Sequence, residues 1–135
     1  MPDQAEMVAD LLNRCYLDSS FTPQEIVNWM SYPVYKSDLW IFIVDAEKKA
    51  PVELGIADFD MIISEGSLEW IQVLPEYQRK GLGQAVVNEL LRRMSNYARF
   101  VTVSGQIDNP NNPRELYRKC GFTGDDIWIV SKNSQ

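Results

Sequence analysis

The sequence predicts a single α/β domain over residues 1–135, with helices and strands in the order ααβββαβαβ. The length suits one domain, because a chain of about 150 residues buries roughly two-thirds of its unfolded surface on folding. Stretches with apolar residues at helical spacing alternate with apolar runs of strand length. No repeat, low-complexity tract or linker interrupts them. We therefore expect a mixed central sheet flanked by helices.

The N-terminal part predicts two helices. Residues 3–16 carry apolar side chains at helical spacing behind a capping box, in which Asp3 is the N-cap and Glu6 the third helical residue. The second helix begins after Thr22 and has a proline at its first position, where the missing N–H costs nothing. It ends at Tyr32-Pro33, because the residue before a proline disfavours helix.

Three apolar runs follow at residues 39–45, 52–61 and 67–74. Polar turns of only a few residues separate them, so we expect an antiparallel meander. The second run mixes apolar residues with acids, which predicts a strand with one face in water.

The C-terminal half predicts a long helix over residues 81–97, a strand over 100–104 and a short helix over 112–120. Gly121 stands where a left-handed residue ends a helix. A last strand is predicted over 127–130.

Composition and charge exclude several classes of function. The chain contains no histidine, so imidazole catalysis and histidine-ligated zinc are excluded. A formal charge of −6 argues against a nucleic-acid partner and favours a cationic one. Cys15 and Cys120 are far apart and form no metal motif. No signal peptide or membrane-length apolar run is visible, so we expect a cytoplasmic chain without a membrane partner.

A strand-to-helix turn at residues 78–83, with the sequence QRKGLG, carries the chemistry. Its two glycines let the backbone approach a ligand closely, and the unpaired N–H groups of a helix start favour an anion. The P-loop pattern is absent, and the dinucleotide fingerprint fails because Val86 replaces its third glycine. Taken alone, the turn predicts either a phosphate site or a plain helix start with solvated basic residues.

The same turn resembles the signature Q/R-x-x-G-x-G/A of the GNAT superfamily of acyl-CoA-dependent N-acetyltransferases. The preceding WIQVLPEY (70–77) is similar to that family's strand and turn, and LYRKCGF (116–122) resembles its L-Y-x-x-x-G-F. Asparagines at 109, 111 and 112 lie where the family usually has one. The resemblance covers nearly the whole chain. It implies a GNAT-like sheet, an antiparallel meander followed by a splayed parallel pair.

The resemblance also implies acetyl-CoA as co-substrate and no metal. Backbone N–H groups of residues 79–84 would hold the pyrophosphate. Ile71 and Val73 would pair with the pantetheine arm, and the Val73 N–H would donate to the thioester oxygen. Asn109 is the first choice among the asparagines for the same arm. The implied cofactor-binding residues are Ile71, Val73, Gln78, Arg79, Lys80, Gly81, Leu82, Gly83, Gln84 and Asn109.

For catalysis, Tyr117 resembles the family's general acid, which protonates the departing thiolate. The alternative interpretation is that Tyr117 is a buried tyrosine of the core with no catalytic role. The glutamate that many members carry before the asparagine is missing here, so Glu69 is the best remaining base, acting through water. Strict alternation along the strand would place Glu69 on one face with Ile71 and Val73. Asp58 and Asp60 could instead line a pocket for a cationic acceptor.

The expected activity is acetyl transfer from acetyl-CoA to a primary amine by direct attack, with a small molecule, a protein or a peptide as acceptor. A non-catalytic acyl-CoA-binding regulatory module and a partner-dependent interaction domain are the alternatives. The sequence starts at the helix that follows the family's first strand. We therefore expect that the chain is truncated, that the sheet lacks this edge strand, or that another chain supplies it. An exposed edge favours a homodimer or a covering segment.

Overall fold

The computed structural model describes residues 2–16, 18, 20–104 and 113–124 of the chain. Short 3₁₀ turns at Ser37–Leu39 and Pro75–Tyr77 precede the first strand and the third helix. Every helix and strand predicted within these ranges is confirmed, and the predicted strand 127–130 lies outside them. The elements are α1 (Pro2–Cys15), α2 (Pro23–Trp29), β1 (Trp40–Asp45), β2 (Ala50–Asp60), β3 (Glu65–Val73), α3 (Leu82–Met94), β4 (Phe100–Val103) and α4 (Pro113–Lys119).

The helix ends follow the capping signals in part. Thr22 is the N-cap of α2, and its hydroxyl accepts a hydrogen bond from the Glu25 N–H at 3.2 Å. Gly121 has a φ of +100°, as predicted for the residue that ends α4. The prediction for α1 is wrong at its start, because the helix already includes Pro2 and Asp3. A proline is well tolerated in the first turn of a helix, so α1 starts before the expected cap.

The four strands form one mixed sheet in the order β1-β2-β3-β4. The first three strands are antiparallel neighbours, as the meander prediction requires, and β4 is parallel to β3. In the described part of the chain, the outer edge of β1 has no partner strand. The expected homodimer stays a prediction.

Two apolar cores cover the two faces of the sheet. The first core packs α1 and α2 against Leu54 and Ile56 of β2. The second packs α3 and the apolar face of α4 against Ala57 and Leu68. Because helices cover both faces, residues 52–57 of β2 are all buried. The prediction of a water-facing side for this part of the strand is therefore wrong.

Among the residues that the structure describes, none of the helices has the length and apolar composition needed to cross a membrane. The same ranges contain no group of three acidic, cysteine or histidine side chains placed to hold a metal ion.

Candidate active site

The cleft at the centre of the candidate site begins where β3 and β4 part. β4 pairs with β3 only from Glu65 to Leu68, whereas β3 continues to Val73. Among the described residues, no strand covers this edge of β3 beyond Leu68. The expected splayed parallel pair is therefore confirmed.

The N–H groups of Ile71 and Val73 point to this uncovered edge. The Leu74 N–H donates to the Val52 carbonyl at 2.9 Å, on the β2 side of the strand. Backbone groups of successive residues in an antiparallel ladder alternate between the two sides. The N–H and C=O groups of Val73, and of Ile71 two residues before it, consequently face away from β2. They form the kind of edge to which an extended amide chain can add as another strand.

The Val73 carbonyl accepts two side-chain hydrogen bonds. The Cys15 thiol at the end of α1 donates to it at 3.7 Å, and the Gln78 amide donates at 3.5 Å. Gln78 therefore binds the strand that it follows, and α1 reaches the end of the same strand. Burial raises the pKa of the Cys15 thiol, so this group stays protonated at neutral pH.

An anion-binding turn follows β3 directly. Arg79 and Gly81 both have positive φ values, of +64° and +79°, and a side chain at Gly81 would meet open space. The first hydrogen bond of α3 runs from the Ala85 N–H to the Gly81 carbonyl. The N–H groups of residues 82–84 thus precede the helical ladder, at the positive end of the helix dipole. This arrangement suits a phosphate or pyrophosphate.

A hydrogen bond between distant residues holds this turn on β1. The Tyr77 hydroxyl donates to Asp45 Oδ2 at 2.6 Å, which lowers the pKa of Asp45 and raises the pKa of Tyr77. The ammonium groups of Lys48 and Lys80 lie 5.8 and 5.1 Å from the centre of the Tyr77 ring. This anchor is not predictable from the sequence, because the partners are 32 residues apart and no local pattern signals the contact.

The second predicted glycine, Gly83, faces α4. A Cβ at this position would lie 3.4 Å from the Leu116 side chain, an ordinary van der Waals contact, so α4 packs against the first turn of α3. The residue after Leu116 in α4 is Tyr117. Its ring contacts the Phe122 ring edge-on, with 5.9 Å between the ring centres. Burial raises the pKa of Tyr117, and the nearby Tyr16 and Cys120 raise it further. Its hydroxyl is protonated at neutral pH and can donate a proton.

The predicted face of Glu69 is wrong. Ile56 pairs with Trp70 and Ala57 pairs with Leu68, so the bulged Glu69 has no partner on β2. A β-bulge shifts the alternation of side chains by one residue. Accordingly, Leu68 and Ile71 contact the same core although they are three residues apart. Glu69 instead accepts a hydrogen bond from the Ser67 hydroxyl at 2.8 Å, on the face that carries α1 and α2.

Asp58 lies beside Glu69 on that face, opposite Ser67 in the ladder. Burial raises the pKa of Asp58 to about 6, and the charge of Glu69 contributes to the rise. The two carboxyl groups therefore interact electrostatically, and Asp58 titrates near neutral pH. Asp60 is not part of this carboxyl pair, since its side chain accepts a hydrogen bond from the Ile62 N–H in the following turn.

Aromatic rings cover the same face next to Glu69. The Trp70 ring stacks on the Trp29 ring of α2, with 5.8 Å between the ring centres. The rings of Tyr16 and Phe21 contact the Trp70 ring edge-on. This face thus combines two carboxyl groups with an aromatic wall, which are features suited to a cationic amine.

The structure brings most of the predicted site residues together. The segment 78–84 and the free edge of Ile71 and Val73 are continuous, and α4 carries Tyr117 to the start of α3. Glu69 lies on the opposite face of the sheet from the Ile71 side chain. Asn109 lies outside the described residues.

Comparisons with known proteins identify the family. The family model for the acetyltransferase (GNAT) domain matches residues 37–124. The uncharacterized N-acetyltransferase CgeE of Bacillus subtilis (strain 168) is 26% identical over 87 residues, which are 62% of this chain. The chain spans about a third of the length of that curated relative, since the match covers 33% of it.

Solved structures share the fold. The ribosomal-protein-S18-alanine N-acetyltransferase of Escherichia coli superimposes with a TM-score of 0.69 at 17% identity, covering 90% of this chain and 73% of that one. Glucosamine-6-phosphate N-acetyltransferase of Arabidopsis thaliana has a TM-score of 0.68 at 20% identity, covering 100% and 95%. Because the family model spans well over half of the sequence, the chain belongs to the GNAT acetyltransferase family.

Proposed function

We propose that this domain transfers the acetyl group of acetyl-CoA to a primary amine by direct attack within a ternary complex. The observation that carries the proposal is the uncovered edge of β3, which leads directly into the anion-binding turn before α3. An extended amide arm that ends in a pyrophosphate fits such an edge and turn together. Acetyl-CoA has this chemical form.

Backbone groups would supply most of the proposed binding contacts. The N–H groups of residues 79–84 would hold the pyrophosphate, with Arg79 and Lys80 adding positive charge. Ile71 and Val73 would pair with the pantetheine arm along the free edge. The Val73 N–H would then donate to the thioester oxygen and stabilise the negative charge that develops there during attack. Asn109 remains a proposed contact to the same arm.

The reaction requires proton transfers at both reacting atoms. A cationic amine first releases one proton, so that its nitrogen can attack the thioester carbonyl. The C–S bond then breaks, the nitrogen loses its second proton and the thiolate gains one, with a net release of one proton to water. Tyr117, which is protonated at neutral pH, would supply the proton to the thiolate. Asp58, with a pKa of about 6, would accept the amine proton with Glu69 beside it. Glu69 and Val73 are about 13 Å apart along the strand. A chain of several waters would therefore carry the proton from the amine at the thioester to the carboxyl pair.

The acceptor would be a cationic amine. The Asp58–Glu69 pair and the aromatic wall around Trp70 support this class, and the chain's charge of −6 attracts cations. Small molecules and protein amines both fit this description. The Arabidopsis relative is named for an amino sugar phosphate and the Escherichia coli relative for a protein alanine.

A transfer assay across an amine panel tests the proposal. The panel contains diamines, amino sugars, lysine peptides and peptides with a free N-terminus, and release of the coenzyme thiol is measured together with the mass of the product. We expect one amine class to give both signals in equal amounts. Binding of acetyl-CoA without transfer to any amine would favour the regulatory module, and absence of binding would contradict both functions.

A further inference from the structure

Glu53, in the middle of the sheet, carries a buried carboxyl group. Its exposed fraction is 0%, and it is the only polar or charged side chain among the fully buried residues of the described ranges. Within those ranges, neither Oε1 nor Oε2 of Glu53 has a hydrogen-bond partner. An unsatisfied buried polar group costs on the order of 1–3 kcal/mol, so a native protein keeps one only where something compensates for the cost.

The strand register places Glu53 on the face of the sheet that α3 covers. Val52 and Leu54, its neighbours in β2, contact the core on the side of α1 and α2. Gly55, two residues on, lies on the opposite side, where Val86 of α3 is 2.5 Å from the position of a Cβ. Glu53 shares this side with Gly55, because side chains two residues apart point to one face.

The residues that the strand register places next to Glu53 are aliphatic. Its cross-strand neighbours are Ile43 on β1 and Val73 on β3, and α3 presents Val86 and Leu90 to this face. Burial alone raises the pKa of Glu53, to about 8. The titratable groups on these elements and on the turn between β3 and α3 are Asp45, Glu65, Glu69, Glu76, Tyr77, Arg79, Lys80, Glu89, Arg92 and Arg93.

Several of these groups are engaged with one another. Asp45 binds Tyr77, and Glu89 binds Arg92 and Arg93. Burial remains the only cause of the shift at Glu53, so no charged neighbour offsets the cost of its ionisation. A lone ionised carboxylate in such surroundings is expensive, and the group is therefore neutral at pH 7.

Glu53 also adjoins the backbone that carries the coenzyme site. It pairs with Val73, the last residue of β3. The residue before it, Val52, accepts the 2.9 Å hydrogen bond from Leu74, at which the turn to α3 begins. Glu53 is therefore next to both the end of the strand and the start of the anion-binding turn.

We propose that Glu53 is a positioning residue, which keeps the end of β3 and the following turn in their coenzyme-binding geometry only while its carboxyl group is protonated. The inference rests on the proposed acetyl-CoA site. An ionised Glu53 must recruit water or N–H donors. Water would enter between β2, β3 and the turn, and N–H donors taken from the first turn of α3 would be lost to the pyrophosphate. Either response weakens coenzyme binding.

The test is acetyl-CoA binding by calorimetry between pH 6.5 and 9.5, in the wild type and in Glu53→Gln. Glutamine has the shape of the neutral acid and cannot ionise. Wild-type affinity should be constant up to about pH 7.5 and then fall, approaching about tenfold per pH unit once most of Glu53 is ionised. The glutamine variant should retain its affinity across that range. Glu47→Gln, an exposed charge change in the turn after β1, should reproduce the wild-type fall.

A second variant and a stability measurement distinguish the proposed role of Glu53 from misfolding of the glutamine variant. Glu53→Met, also unable to ionise, should lack the alkaline fall too. In the wild type, the carboxyl binds its proton more tightly in the folded than in the unfolded chain. Its contribution to the free energy of unfolding is therefore full below about pH 4.5 and is lost as the pH rises to about 8. The melting temperature of Glu53→Gln relative to wild type should accordingly rise over that range.

The outcomes separate the two proposals. A wild type that binds acetyl-CoA equally from pH 6.5 to 9.5 contradicts the role of Glu53 and leaves the proposed function intact. The role of Glu53 is contradicted in the same way if Glu53→Gln loses affinity in parallel with the wild type. A wild type that does not bind acetyl-CoA at pH 7 contradicts the proposed function, and the role of Glu53 in that site falls with it.

Discussion

Tyr77 and Asp45 are joined by a 2.6 Å hydrogen bond, which ties the turn before α3 to the last residue of β1. The bond fixes the start of a turn whose N–H groups have no partner in the helical ladder. It therefore supplies preorganisation that the turn's own sequence lacks, and its loss should affect ligand binding at that turn.

Tyr77→Phe tests this anchor. The phenylalanine keeps the ring beneath Lys48 and Lys80 and removes only the donor. We expect acetyl-CoA affinity to fall by roughly fivefold, as for loss of one hydrogen bond, with little change in the folded structure. Calorimetry measures the change. Tyr32→Phe removes an exposed hydroxyl away from the site and should bind as the wild type does.

Gly81→Asp tests the anion-binding turn. Gly81 has a φ of +79°, which strains any other residue, and an aspartate adds negative charge where the pyrophosphate is expected. At about 100 times its Kd, acetyl-CoA should stabilise the wild type by about 2.7 kcal/mol and raise Tm by several degrees. The variant should show no such rise. Gly124→Asp, at a glycine with free space around it and no positive φ, is the control and should retain the rise.

Tyr117→Phe tests the proposed general acid. The change keeps the packing against Phe122 and removes the hydroxyl, so acetyl-CoA binding should be nearly unchanged. Turnover should fall by roughly 10²-fold, within the usual range for general acid–base catalysis. Tyr97→Phe removes the hydroxyl of a half-buried tyrosine elsewhere and should keep full turnover. Full activity in Tyr117→Phe would return Tyr117 to the role of a core residue.

The Asp58–Glu69 pair should set the acid side of the pH profile. Asp58 accepts a proton only when ionised, so kcat/KM of the wild type should fall as the pH drops through about 6. Glu69→Gln removes a negative charge that raises the pKa of Asp58, and this fall should move to lower pH. Asp58→Asn should lose activity at neutral pH and regain part of it as the pH approaches the pKa of the amine. Identical profiles for all three proteins would exclude this pair as the base.

The order of elements was predictable because helix and strand periods are local properties of the sequence. The turn at 78–83 was predictable for the same reason, since adjacent residues form it. The face of Glu69 was not predictable, because the bulge arises from pairing between β2 and β3 and appears in neither strand alone. Burial of Glu53 likewise depends on α3 covering a face of β2 whose sequence contains acids. The contact between Gly83 and Leu116 was not predictable either, because it joins two helices that are distant in the sequence.

The most direct test of the account is the backbone amide spectrum of the 15N-labelled protein during titration with acetyl-CoA. We predict saturable shifts at Ile71, Val73 and the amides of residues 79–84, which form one continuous site. The β2 amides of Phe59 and Asp60, which pair with Gly66 and Glu65 at the opposite end of β3 from Val73, should stay in place. If the amide signals of Ile71, Val73 and residues 79–84 do not shift at saturating acetyl-CoA, the account is contradicted.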